Sequence, residues 1–207
     1  MRPLPRIHAF TNGEILAASD FGIRAAAIAA GGAAVALHAR DRNGTAAALT
    51  AATLRLLALA RPPEAAVFVS GRPDVAAGTG AHGVQLATGD LAVADARLVL
   101  PRGWIGRSVH SVEEAGMAVQ EGADFLVAGS IYQTETHSGG QAHGTALVRD
   151  VATLGVPVIA IGGITAERAG ELRAAGAYGV AAIRALWLAA DPAAATLAML
   201  APWLEET

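Results

Sequence analysis

The chain has 207 residues, 53% of them apolar but only 4% aromatic, and a net charge of -3. That length can bury one substantial core, though it is short for a complete (β/α)8 barrel, typically about 250 residues. The weak charge gives no reason to expect nucleic acid or an anionic membrane as partner, and the lack of cysteine excludes disulfides, thiolate catalysis and cysteine-based zinc sites. The N-terminal Met1-Arg2-Pro3-Leu4-Pro5 has no signal-peptide apolar core. No run of about 18 apolar residues free of charges and helix breakers reads as a membrane span. The cytoplasm is therefore the expected compartment.

Strand-like and helix-like segments alternate along the chain. Ile7 to Thr11 reads as a first strand, and Ile15 to Ala30 as a helix closed by Gly31-Gly32. Ala34 to Arg40 is the second strand, and Thr45 to Ala60 a helix stopped before Pro62-Pro63. Val67 to Ser70 is the third strand, with Pro73 suited to the first turn of a short helix. Gly83 to Ala87 and Trp104 to His110 are the fourth and fifth, while Asp90 to Arg102 between them is poorly patterned. Ser111 and Glu114 form a capping box that starts a helix to Gln120. Phe125 to Ile131 is the sixth strand, and a polar, glycine-bearing loop from Gln133 to Gly144 follows it. Ala146 to Leu154 is helical, and Pro157-Val158-Ile159-Ala160-Ile161 is the seventh strand, ending in Gly162-Gly163 before a helix over Ala166 to Ala175. Ala177 to Arg184 is the eighth, and a terminal helix runs to Glu205. This alternation predicts α/β with parallel pairing, a single (β/α)8 barrel over residues 1–207. A doubly wound open sheet is the structural alternative.

In such a barrel the site lies at the C-terminal ends of the strands. Gly162 and Gly163 let an anion approach bare backbone N–H groups at a helix start, and Ile183-Arg184 ends the neighbouring strand. At the second strand, His38, Arg40 and Arg42 fall on one face by alternation. Three cationic or titratable groups at one mouth suit an anionic ligand; a solvated loop is the plainer alternative. Ser70 and Ser108 end two further strands, and Arg72 with Asp74 reads as a local ion pair. His110 is placed to brace the turn before Ser111. Beyond Ser130, the loop holds Thr134, Thr136 and His137, hydroxyls at i, i+2 beside a histidine. The HExxH, GxSxG and P-loop motifs are missing.

Gly106-Arg107-Ser108-Val109-His110-Ser111, Glu113-Glu114-Ala115, Gly122-Ala123-Asp124, Thr134-x-Thr136 and Pro157 to Ile164 together resemble the thiamine-phosphate synthase and thiazole tautomerase (TenI-like) superfamily. The resemblance runs from His8 to Trp187. It implies a (β/α)8 barrel that makes the thiazole half of thiamine or joins it to the pyrimidine. Local segments resemble the tautomerase branch. His38-Ala39-Arg40-Asp41-Arg42 stands where synthases carry Gln-x-Arg-Glu-Lys, Ser70-Gly71-Arg72 where they carry Asn-Asp-Arg, and His137 where they carry a lysine. Gln85-Leu86-Ala87-Thr88 likewise departs from the synthase His-Leu/Ile-Gly-Gln.

The expectation is therefore a tautomerase acting on a carboxythiazole ethyl phosphate, without metal or cofactor. Gly162, Gly163, Ile183 and Arg184 would hold the phosphate, and Arg40 and Arg42 the carboxylate, with Ser70, Ser108, Thr134 and Thr136 also contacting the substrate. His137 or His38 would move the proton, since Ser130 replaces the tautomerase histidine. One alternative is a thiamine-phosphate synthase, using Mg²⁺ with Asp90 as its remaining carboxylate. Another is a non-catalytic thiazole-phosphate binder or regulator. A small-molecule thiazole phosphate is the expected partner, and a homo-oligomer is left open.

Overall fold

The computed structural model describes residues 2–60, 64–133 and 142–204. Among them, eight parallel strands pair in chain order and close into a barrel, β8 returning to β1. The strands are β1 (Ile7–Phe10), β2 (Val35–Ala39), β3 (Ala66–Ser70), β4 (Gly83–Leu86), β5 (Trp104–Val109), β6 (Phe125–Ala128), β7 (Val158–Ile161) and β8 (Gly179–Ala182). Around them lie α1 (Gly13–Ala17), α2 (Phe21–Ala29), α3 (Ala46–Leu59), α4 (Pro73–Thr79), α5 (Val93–Val99) and α6 (Val112–Gln120). The circuit continues with α7 (Gly144–Ala152), α8 (Ala166–Ala174), α9 (Arg184–Trp187) and α10 (Pro192–Leu200). The architecture is a (β/α)8 barrel, as expected. No helix among the described residues is long and apolar enough to cross a membrane.

Both faces of each strand are covered, so the strands read as apolar runs rather than alternating ones. In β3, Ala66 and Phe68 enter the barrel lumen while Val67 and Val69 pack under the helices. The lumen is filled by a few large rings. Phe68 meets Phe125 edge-on at 5.7 Å, and each buried ring contributes about 1.5–3 kcal/mol. Glycine on β5 makes the space: a Cβ added to Gly106 would lie 2.1 Å from Phe125 Cζ. His8 and His38 complete the layer, both fully buried and packed on Phe68.

Three stretches differ from expectation. The helix expected over Ile15 to Ala30 is two helices. The Asn12 side chain caps Ile15 N and starts α1 early, and Ala18 then turns extended. Arg24 fixes the new direction of α2 by pairing with Asp20 and donating to the carbonyls of Trp187 and Ala189. The unpatterned stretch after Asp90 contains α5, a short helix burying only Val93 and Ala96. Arg97 secures it by donating to Gly103 O and to Asp124. Past β8, the terminal segment breaks into α9 and α10, and Asp191 caps Ala194 N to start the second.

Candidate active site

A cavity of about 1170 Å³ opens at the C-terminal ends of the strands. Arg40, Arg42, Ser70, Ser108, Ser130, Gly162, Gly163, Ile183 and Arg184 all line it, so the barrel brings together most of the residues picked out by sequence. Thr134, Thr136 and His137 lie outside the described residues. His38 does not line the cavity. It is fully buried, and Phe10, which does line the cavity, stacks on it at 3.9 Å.

The hydrogen bonds around His38 fix its protonation. His8 Nε2 faces Pro5 O at 3.1 Å, and a carbonyl only accepts, so this nitrogen carries the proton. His8 Nδ1 must then accept from His38 Nε2 at 2.8 Å. That leaves His38 Nδ1 as a buried lone pair with no partner. Burial lowers the His8 pKa to about 4, the Pro5 bond opposing it. Burial, then His8 and Arg40, push His38 well below the usual histidine range. Both rings are neutral near pH 7 and act as lumen filling.

One wall of the cavity is cationic. Arg40 is pushed below its ordinary value by burial and by Arg42, with Asp41 opposing. Two like charges held at one strand mouth favour an anion between or above them. Arg72 is committed elsewhere: it pairs with the Asp74 carboxylate at 2.5 Å, as the sequence suggested. Next to this wall is a neutral one. Gln85 Nε2 donates to Leu86 O and to Ser108 Oγ at 2.7 Å, which leaves the Ser108 hydroxyl hydrogen available to a ligand. Ser70 Oγ is buried without a partner.

Across the cavity, β7 ends in the two glycines. Gly162 has φ +107 and Gly163 φ +67, a backbone path open at little cost only to residues without Cβ. A Cβ on Gly162 would meet Ser130 Cα at 2.9 Å, so the ends of β6 and β7 touch here. Arg168, which sequence reading missed, lines the cavity, donates to Gly163 O and lies over the Tyr132 ring at 4.2 Å. His110 also faces the cavity while braced at its base: its backbone N donates to Glu114 and its Nδ1 to Gly129 O. Among the described residues no group of three or more His, Asp or Glu side chains is placed to hold a metal ion. A second cavity, about 440 Å³, opens at the N-terminal ends of the strands around Arg6 and Tyr178. Its polar groups bond one another and the backbone: Arg6 covers the Tyr178 ring and donates to Tyr178 O, and Tyr178 donates to Leu4 O.

Residues 8–186 match the family model described as thiamine monophosphate synthase. The chain is similar to the thiamine-phosphate synthase of Methanospirillum hungatei, 40% identical over 88% of this chain and 90% of that one. It is 42% identical to the thiamine-phosphate synthase of Thermus thermophilus over 70% of this chain and 71% of that one. The solved thiamine phosphate pyrophosphorylase of Pyrococcus furiosus superposes with a TM-score of 0.83 at 32% identity, over 97% of this chain and 96% of that one. These relatives overturn the tautomerase expectation, because identity along the whole barrel follows proteins named as synthases.

Proposed function

The chain belongs to the thiamine monophosphate synthase family, and on that premise we propose that it is a transferase joining a pyrimidine diphosphate to a thiazole phosphate. The observation that carries the reading is its 40% identity over 88% of the chain to a relative named thiamine-phosphate synthase. The cavity is compatible with it, because groups at two separate strand ends could each take an anion. Gly162, Gly163, Ile183 and Arg184 would take the monophosphate at β7 and β8. Arg40 and Arg42 at β2 would take the diphosphate. Between them, the Ser108 hydroxyl and the apolar Phe10 and Val127 would position the two heterocycles.

In this reaction the thiazole nitrogen forms a C–N bond to the pyrimidine methylene carbon. The C–O bond to diphosphate breaks, and the diphosphate leaves with the bonding electrons. No side chain has to remove a proton, which suits a site whose buried histidines are neutral and out of reach. Arg40, partly buried, would stabilise negative charge as it grows on the leaving group. Magnesium fits the residues present only in part. Asp90 lines the cavity and would supply one carboxylate, its oxygens lying near Gly71, and the preceding Ser70 Oγ would add an unpartnered oxygen. One carboxylate is an adequate protein share where phosphate oxygens and waters complete the shell. A bound magnesium ion would neutralise charge on the departing diphosphate. The test is to incubate the purified protein with both substrates and magnesium and to measure thiamine phosphate and released diphosphate. Formation of neither product would reject the reading.

A further inference from the structure

Glycine gives up more backbone freedom on folding than any other residue. An anion site built from the peptide groups of Gly162 and Gly163 therefore works only if other residues hold those groups still. Both carbonyls are held. Tyr132 N–H donates to Gly162 O at 3.0 Å, and the Arg168 guanidinium donates through Nη1 to Gly163 O. The two tethers form one unit, because Arg168 lies over the Tyr132 ring at 4.2 Å. Tyr132 is tied in turn, its hydroxyl donating to Glu171 Oε2 at 3.1 Å. Arg168 and Glu171 stand three residues apart on α8 and so share one face of that helix. The fit is close: a Cβ on Gly163 would lie 2.8 Å from Tyr132 Cβ and 3.3 Å from Arg168 Nη1.

Holding a carbonyl also fixes the next N–H, because the two point in opposite directions across a trans peptide. The tether on Gly162 O thus sets Gly163 N–H, and that on Gly163 O sets Ile164 N–H; Gly163 and Ile164 both line the cavity. We propose, on the synthase reading of this cavity, that Tyr132 and Arg168 are positioning residues that brace the β7 turn in its phosphate-receiving form. Arg168 acts through the Gly163 carbonyl rather than by touching the phosphate. Without it the Gly163–Ile164 peptide is free to rotate, and a carbonyl oxygen, which repels an anion, replaces an N–H donor.

Titration calorimetry with thiazole phosphate and, separately, with inorganic phosphate tests the brace. Arg168→Met keeps a stem against the Tyr132 ring but removes the donors, and should weaken both ligands by about tenfold. Tyr132→Leu leaves the Arg168 charge in place and removes the ring beneath it, and should weaken both by about threefold or more. Tyr132→Phe keeps the ring and should recover that loss. The double variant Arg168→Met/Tyr132→Leu should bind no worse than Arg168→Met alone, since both changes act on one carbonyl. In turnover, Arg168→Met should raise KM for thiazole phosphate by about tenfold and leave KM for the pyrimidine diphosphate unchanged. Wild-type affinity in Arg168→Met overturns the brace. So does wild-type affinity in Tyr132→Leu, which would make Arg168 a direct phosphate contact, and so do additive losses in the double variant. A protein that makes thiamine phosphate yet keeps its phosphate affinity in Arg168→Met refutes the brace and leaves the synthase reading intact. A protein that holds inorganic phosphate through Arg168 but forms no thiamine phosphate keeps the brace and refutes the synthase reading. Wild-type protein that takes up neither ligand refutes the brace.

Discussion

Lowering the pH should destabilise the barrel through its two lumen histidines. An unfolded histidine titrates near 6.5, whereas His8 in the fold titrates at about 4. Between these values the unfolded chain binds the extra proton. The stability due to the neutral ring is therefore complete above about pH 6.5 and is lost as the pH falls toward about 4. Each unit of displacement is worth about 1.4 kcal/mol, so going from about pH 7 to about pH 5 removes about 2 kcal/mol through His8 alone. His38 shifts in the same direction and adds to the loss. In urea unfolding the midpoint should fall by about 1 M or more over that interval. Other titrating groups are removed by comparison with His8→Leu/His38→Leu, which lacks both rings and should show a much flatter pH dependence. Equal losses in the two proteins would refute the neutral, hydrogen-bonded pair.

Arg40→Ala should raise KM for the pyrimidine diphosphate by about 10–100-fold, the loss of a charge-assisted contact. The same variant should melt no lower than the wild type, because it relieves the repulsion from Arg42; an unchanged KM would remove Arg40 from the diphosphate pole. Gly162→Ala places Cβ 2.9 Å from Ser130 Cα at a φ of +107, and should cost about 1–3 kcal/mol of stability. Calorimetric titration should show its affinity for thiazole phosphate falling by about tenfold or more, and wild-type binding would move the phosphate site elsewhere. Gly106→Ala should destabilise by about 1–3 kcal/mol through its clash with Phe125, and Phe125→Leu should recover part of that loss. Strictly additive urea midpoints in this double-mutant cycle would mean that the two residues do not share the space.

The sequence made the barrel legible because each strand is an apolar run bounded by glycine, proline or a cap, and that signal is local. Period-2 alternation also placed His38, Arg40 and Arg42 on one face. What it could not convey was depth. His38 lies two residues below Arg40 on the same face, and that step takes it from the cavity into the lumen under Phe10. Arg168 was invisible for the opposite reason: on a helix it reads as an ordinary exposed charge, and only the turn at Gly163 brings it back to the site. The same limit explains the correction of function. Residue types such as Gly71 and His38 report local chemistry, whereas the proposed reaction between two anions would depend on groups at β2 on one side and at β7 and β8 on the other. Those strand ends are separated by most of the chain and are brought together by closure of the sheet. A tautomerase substrate with one phosphate and one carboxylate also suits two such strand ends, so charge placement alone did not choose between the reactions. What favours the joining reaction is the 40% identity over 88% of the chain to a relative named thiamine-phosphate synthase.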